Sequence, residues 1–420
     1  MPYWSRRKQH TANTSRSRVG DFYQSHPYPP PIDDLESYRR RWDDQRRLAE
    51  LYLFWPAEPY REDRSILVAG CGTTQAAHYA ARWPNTRVVG IDLSETSIAF
   101  ERELKRKHRL DNLELYELAV ERVGELGESF EHVVCTGVLH HLPDPDAGLR
   151  ALRDALAPKS AMHLMVYAPY GRGGVYMLQE YCRRLGIGTT DAEIDDLAAS
   201  LKALPADHPI APLLRHAPDF ATKAGLADAL LHPLDRAFSV PQLIEFLDRA
   251  HLAFGRWIRQ APYLPWCGAI ASSPHHAKLV ALKVEEQYAA LELFRGTILR
   301  HSVVAYRRDA LPLAVVDFRG DEWLDYIPIR LPDTVAVRDR LPPGAAAVLI
   351  NRNHTFTDLY LPIDARQERL LEAIDGKRRV RDIGRAMADR DLARAFFEQL
   401  WRWDQVIFST ASVRDHESGK

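Results

Sequence analysis

An apolar run ending in two glycines one residue apart, Ile66-Leu-Val-Ala-Gly-Cys-Gly-Thr-Thr74, constrains this chain more than any other stretch. Its first residues read as a buried strand, and Gln75 to Arg82 reads as the helix that follows. Gly70 and Gly72 let the backbone turn tightly and approach a ligand that Cβ atoms would block, while the helix N-terminus offers free amides. The next apolar run, Arg87-Val-Val-Gly-Ile91, ends in Asp92-Leu93-Ser94. That places a carboxylate about twenty residues after the turn, at a strand end, where it can accept hydrogen bonds from both ribose hydroxyls. The other task open to Asp92 is capping the helix that starts near Glu95, which Ser94 can also perform.

His132-Val-Val-Cys135 and Met162-His-Leu-Met-Val-Tyr167 repeat the strand pattern, with helical stretches between. Short buried strands joined by helices imply parallel pairing with right-handed crossovers, hence a doubly wound α/β sheet. Residues 171–235 break the alternation: helix-prone pieces are interrupted by Pro205, Pro209, Pro212, Pro218 and Pro233, which reads as a helical cap inserted over the mouth of the site. Val240 to His251 reads as a helix, Ala253 to Ile258 as a strand, Lys278 to Leu299 as one further helix and Ser302 to Tyr306 as a last strand. The texture then changes. Val315–Phe318, Asp325–Ile329, Val335–Val337 and Ala347–Ile350 read as short strands, and three helices over Asp364–Ile374, Val380–Met387 and Leu392–Trp401 precede a strand at Gln405–Phe408, a winged-helix-like order in an α+β module. The expected divisions are residues 1–60 (tail, aromatic strap and helix), 61–308 (sheet domain with its cap) and 309–420 (C-terminal module).

Charge and cysteine usage narrow the function classes. The 56 Lys and Arg balance 57 Asp and Glu, so no overall field draws the protein to nucleic acid or an acidic membrane, and the basic residues Arg6, Arg7, Lys8, Arg16 and Arg18 read as a solvated tail. The Arg378, Arg379 and Arg381 cluster reads the same way beside Asp375 and Asp382. Cys71, Cys135, Cys182 and Cys267 are too scattered for a zinc site, and no metal is expected. Without an export signal or a run of about 18 apolar residues, the expected setting is the cytoplasm.

The glycine turn, the acidic strand end and the segment Phe130-Glu-His-Val-Val-Cys-Thr-Gly-Val-Leu-His-His-Leu-Pro-Asp-Pro145 together resemble the broad family of S-adenosylmethionine (SAM)-dependent methyltransferases with a seven-stranded Rossmann-like sheet. The likeness runs from about Ser65 to Pro169. It implies that Gly70, Cys71, Gly72 and Thr73 border the methionine moiety of SAM, that Asp92 and Leu93 border its ribose, that Ala119 and Val120 border its adenine, and that Thr136 to Val138 flank the cofactor. Many relatives carry an acidic residue where this chain has Val68, a glycine near Thr74 and an aspartate at about Ala119; here adenine recognition falls to backbone amides or to Glu121. By the same likeness, Tyr23 and Tyr28 of the aromatic strap close over the cofactor; packing of the strap onto the core is the other reading.

Methyl transfer needs an aligned acceptor, water exclusion and, for some acceptors, a base. His140 and His141 are the candidate bases, in the loop that faces the acceptor side in the family. Arg236, Tyr263 and Trp266 are candidate walls of an acceptor pocket. The expected activity is methyl transfer to an oxygen or nitrogen of a small metabolite or peptide. A non-catalytic binding protein on the same scaffold and a peptide methyltransferase whose C-terminal module recognises the substrate are the alternatives, and subunit pairing is a further role open to that module.

Overall fold

The computed structural model describes residues 18–311, 316–384 and 389–411. Arg6, Arg7, Lys8, Arg16, Val315 and Met387 lie outside them. The described residues form two units, one of residues up to 39 with 62–255 and 296–309, the other of residues 40–61, 256–295 and 310–420. Where the sequence texture marks a boundary near residue 309, the second unit also takes in 40–61 and 256–295.

The chain starts with helix α1 (residues 18–25), α2 (Glu36–Arg41) and α3 (Asp44–Phe54). The sheet then grows through β1 (Ile66–Ala69), α4 (Gln75–Arg82), β2 (Val88–Asp92), α5 (Glu95–His108), β3 (Leu113–Glu117), β4 (Phe130–Thr136), α6 (Pro145–Ala155) and β5 (Leu156–Tyr167). After the cap helices α7 (Gly173–Leu185), α8 (Asp191–Leu201), α9 (Ala211–His216) and α10 (Lys223–Leu231) come α11 (Val240–Arg249) and β6 (Leu252–Trp257). The expected single helix over Lys278–Leu299 is two, α12 (His276–Val280) and α13 (Val284–Arg295). Gln287 secures the break by donating its side-chain amide to the carbonyls of Val280 and Leu282. β7 (Arg300–Arg307) completes the sheet.

The sheet order is β3-β2-β1-β4-β5-β7-β6, with β1 parallel to β2 and β4, and β7 antiparallel to β5. Every residue of β1 is buried, as an inner strand covered on both faces requires. The order reverses at β1, so the carboxyl ends of β1 and β4 open a crevice where the glycine turn lies. Sequence-coded caps start the flanking helices: Asp144 accepts from the Ala147 amide ahead of Pro145 in α6, and Thr190 with Glu193 forms a capping box on α8. The cap has its own apolar core, built from Val175, Leu178, Ile194, Leu197 and Leu226, and Phe22 of α1 packs into it.

In the second unit, β9 (Thr334–Val337), β10 (Ala347–Asn351) and β11 (Leu361–Ile363) form an antiparallel sheet. β8 (Ile327–Arg330) pairs with β12 (Val406–Ser409). Three helices, α14 (Ala365–Glu372), α15 (Val380–Gly384) and α16 (Arg390–Arg402), precede β12 in the expected order. The strand expected at Val315–Phe318 does not form over residues 316–318, where Val316 and Phe318 pack irregularly into a core with Trp323, Phe396, Phe397 and Phe408. Asp404 ties the segments together: its carboxylate accepts the Ala261 amide at 2.9 Å, and its carbonyl accepts the Asn351 side-chain amide at 2.5 Å. Arg46 of α3 adds a two-pronged pair with Asp333.

Helix α4 sits so close to the sheet that a Cβ on Gly90 would lie 2.6 Å from the Ala76 Cβ and 2.9 Å from Leu115 Cδ2. Gly90→Ala is therefore expected to cost about 1–3 kcal/mol through overpacking. Chemical denaturation measures this, and an unchanged midpoint would show that α4 can retreat from the sheet.

Candidate active site

Both glycines of the turn have positive φ, +70° at Gly70 and +57° at Gly72, a conformation that side chains disfavour. A Cβ at Gly70 would also lie 2.3 Å from Val138 Cγ2, so the loop after β1 touches the loop after β4. The Gly70 and Cys71 amides donate to the Ile91 carbonyl, which fastens the turn to β2. Asp92 then joins two turns. One carboxylate oxygen accepts the Gly72 amide at 2.8 Å and the other accepts the Ser94 amide at 2.8 Å. Ser94 caps α5 through its own hydroxyl, so capping is not the work of Asp92. Burial pushes the Asp92 carboxyl up, and the amide hydrogen bonds of Ser94, Gly72 and Leu93 oppose that shift.

Each carboxylate oxygen offers about two lone-pair sites, so the three amides leave the Asp92 carboxylate with further acceptor capacity. A vicinal diol with two donor hydroxyls fits that carboxylate, which is the chemical requirement of a ribose. Ala119 and Val120 are buried just after β3, and the Leu118 amide donates to the Asp92 carbonyl. At the end of β4, the Thr136 hydroxyl accepts the Gln75 side-chain amide at 2.6 Å. The N-terminal segment lies against the same turn. Thr73, fully buried, donates to the Pro29 carbonyl at 2.6 Å, the Tyr28 carbonyl occupies space that a Cβ on Gly72 would need, and Ser94 Oγ donates to the Tyr23 carbonyl at 3.3 Å. The sequence-predicted cofactor residues thus converge on one crevice. Among the described residues, no group of three or more His, Cys, Asp and Glu side chains is placed to hold a metal ion.

Beside this crevice lies a buried ladder of rings. His140 packs on Tyr167 at 3.9 Å and on His141 at 4.2 Å; His141 packs on His232 at 3.9 Å; His232 meets Phe22 and Tyr23 at 4.9 and 5.3 Å. Arg172 covers the outer face of Tyr167 at 3.5 Å and pairs with Asp235 at 3.2 Å. Tyr23 donates its hydroxyl to buried Asp228 of α10 at 2.9 Å, linking α1 to the cap. Burial raises the Tyr23 hydroxyl and the Asp228 carboxyl and lowers His140 and His232, so both of those imidazoles are neutral. Both nitrogens of His140, Nε2 of His232 and Oδ1 of Asp235 are buried with no hydrogen-bond partner among the described residues. Such groups are costly unless something polar satisfies them.

Backbone partners fix two tautomers. His141 Nδ1 is 2.6 Å from the Leu234 carbonyl, which can only accept, so Nδ1 carries a proton and, in the neutral ring, Nε2 has the lone pair. His232 Nδ1 accepts the Leu234 amide at 3.1 Å, so its proton is on Nε2.

The candidate acceptor walls fall elsewhere. Arg236 is exposed, and only its amide, donated to the His140 carbonyl at 3.1 Å, engages the ladder. Tyr263 and Trp266 belong to the second unit, where Tyr263 stacks on Trp257 at 3.9 Å and Trp266 lies under Arg402 at 4.1 Å. Tyr167, Arg172, Asp228, His232 and Asp235 are not among the sequence-predicted site residues. Asp228 carried a readable signal, a lone acid inside the apolar stretch Ala224-Gly-Leu-Ala-Asp-Ala-Leu-Leu231.

A methyltransferase-domain family model matches residues 67–161, which hold the glycine turn, Asp92 and the histidine loop. The chain belongs to the class I, Rossmann-like SAM-dependent methyltransferases. It is 38% identical over 101 residues to the uncharacterized phycocyanin operon protein W of Pseudanabaena tenuis, covering 23% of this chain and 90% of that one. It is 34% identical over 125 residues to a ubiquinone biosynthesis O-methyltransferase of Neisseria meningitidis, covering 26% of this chain and 51% of that one. The chain spans about half or less of the length of other curated relatives, 39% and 51% for two of them. PKMT2 of Rickettsia typhi, solved in complex with AdoHcy, shares the fold with a TM-score of 0.62 at 18% identity, covering 91% of this chain and 77% of that one. Among the described residues, no helix is long and apolar enough to cross a membrane.

One further buried acid underlies the methyltransferase crevice. Glu101 of α5 accepts the Ala76 and Ala77 amides at 2.8 and 2.9 Å, at the start of α4, and its burial pushes it up to about 8. The folded state therefore holds this proton more tightly than the unfolded chain does. Its stabilising contribution is full below the usual carboxylate range and is lost as pH rises through about 8. Melting temperatures from about pH 5 to about pH 8 are expected to fall more steeply in the wild type than in Glu101→Gln, and equal slopes would contradict this assignment.

Proposed function

We propose that the protein is a SAM-dependent methyltransferase acting on an oxygen or nitrogen atom of a small-molecule or peptide acceptor bound at the histidine ladder. The observation that carries the reading is Asp92: a buried carboxylate, fixed by backbone amides beside a positive-φ glycine turn, with acceptor capacity remaining. In this reading Asp92 and Leu93 hold the ribose of SAM, Gly70, Cys71, Gly72 and Thr73 border its methionine moiety, Ala119 and Val120 border adenine, and Thr136 and Val138 flank it from β4. Tyr23 and Tyr28 cover the site through the strap, an arrangement supported by the Thr73 to Pro29 and Ser94 to Tyr23 bonds.

When bound, SAM supplies a methyl group already activated by its sulfonium. The chain's part is to align the acceptor, exclude water and take a proton. His141 suits the last task, because the Leu234 carbonyl holds its Nδ1 proton and leaves Nε2 as a fixed basic lone pair. His140, stacked between Tyr167 and His141 and kept neutral by burial, shapes the wall beside it. The AdoHcy complex of the fold neighbour and the O-methyltransferase name of the Neisseria relative support the same reading.

Calorimetric titration with S-adenosylhomocysteine tests it without knowledge of the acceptor. The wild type is expected to bind saturably, and Asp92→Ala to bind about 1–3 kcal/mol more weakly, the scale of a lost charge-assisted hydrogen bond. Equal affinities would remove Asp92 from the site, and absence of binding in the wild type would favour the non-catalytic scaffold.

A further inference from the structure

Glu101 lies in the middle of α5 with 0% of its surface exposed. Its two oxygens accept the Ala76 and Ala77 amides in the first turn of α4, which follows the glycine turn directly. Among the described residues, no basic side chain pairs with it. The groups that face it are few. From α4 come only those two amides. From the end of β2 comes Asp92, whose charge opposes ionisation of Glu101, and from the turn after β1 comes the Cys71 thiol, which burial and both acids keep protonated. Two acids are thus set along the cofactor turn with backbone amides for partners and no cation paired with either among the described residues.

A charge taken out of water needs a compensating one, and two amides compensate for it only in part. Glu101 accordingly holds its proton up to about 8. A cation entering the crevice supplies what is missing and favours the carboxylate. The two ligands of a methyltransferase differ in this respect alone: SAM carries a sulfonium, and S-adenosylhomocysteine carries a neutral thioether in its place. A buried acid that ionises in answer to a cation therefore separates substrate from product.

We propose that Glu101 selects between the two ligands by charge, giving its proton to solvent when SAM binds and keeping it when S-adenosylhomocysteine binds. The proposal rests on the methyltransferase reading and deepens it. On binding of SAM the O–H bond of Glu101 breaks, the proton passes to water, and the carboxylate left behind balances the sulfonium. Once the methyl group has left, the cation is gone and Glu101 takes a proton back from water, which removes the attraction and eases product release. Glu101 acts through its charge rather than by contact, since α4 occupies both of its oxygens. The sign of the pH dependence follows. Ionising Glu101 costs more the further the pH lies below its own pKa, so the preference for SAM grows as pH rises toward about 8.

Calorimetric titration of the full-length protein with SAM and with S-adenosylhomocysteine, in buffers of different ionisation enthalpy, counts the protons released. Glu101→Gln cannot ionise, while titration of the ligands' own amino groups is common to both proteins and cancels in the comparison. From about pH 6 to about pH 7.5, the ratio of SAM to S-adenosylhomocysteine affinity is expected to rise about threefold more in the wild type than in Glu101→Gln, the result of a tenfold change in the acidity of Glu101. The wild type should also release more protons with SAM than with S-adenosylhomocysteine, and the excess should vanish in the variant. Infrared difference spectra of the wild type alone keep the test independent of the variant's folding: SAM should remove a protonated-carboxyl band that S-adenosylhomocysteine leaves in place. Equal pH dependence in the two proteins, or a carboxyl band unchanged by SAM, overturns the proposal. Those results leave the methyltransferase reading standing, whereas failure of the wild type to bind either ligand removes that reading itself.

Discussion

The carboxylate of Asp92 organises the crevice by accepting one amide from the glycine turn after β1 and one from the turn after β2. Gly70 and Gly72 sit at positive φ, and Ser94, held by the Asp92 carboxylate through its amide, caps α5 with its hydroxyl. Removing this carboxylate from water raises the cost of its charge, and the amides offset that cost in part. Glu101 repeats the device one layer deeper, at the N-terminus of α4. Two buried acids bound by backbone amides therefore brace the crevice.

The histidine ladder follows from the cap. Residues 171–235 bring Arg172, Asp228, His232 and Asp235 to the loop that carries His140 and His141, and α1 closes the group through the Tyr23 bond to Asp228. A single residue, Leu234, offers its carbonyl to His141 and its amide to His232. The same contacts connect the crevice and the ladder: Tyr23 accepts from Ser94 through its carbonyl and donates to Asp228 in the cap through its hydroxyl.

Much of this was legible in the sequence where the physics is local. β1, β2, β4 and β5 are buried apolar runs, and the positions of Gly70, Gly72 and Asp92 follow from them. β3, Leu113-Glu-Leu-Tyr-Glu117, was not legible, because an edge strand with its Glu117 end exposed carries no continuous apolar run. The break between α12 and α13 depends on Gln287 reaching back to two carbonyls, a contact that helical periodicity does not encode. In the site, the histidine loop announced itself, whereas Asp228 and His232 acquire their surroundings only once the cap folds down. Arg236 illustrates the converse: it is four residues from His232 along the chain and points outward. The second unit resisted reading for the same reason, since Asp404 and Arg46 join segments far apart in sequence.

The central claim is that the glycine turn, the Asp92 turn and the aromatic strap form one cofactor site. Hydrogen–deuterium exchange of the full-length protein, with and without saturating S-adenosylhomocysteine, tests it most directly, because protection reports which backbone amides the ligand stabilises. The account predicts slowed exchange in three segments together, residues 70–74, 92–97 and 22–28, with little change in the second unit. Protection confined to other segments, or none in these three while the ligand is bound, would contradict it.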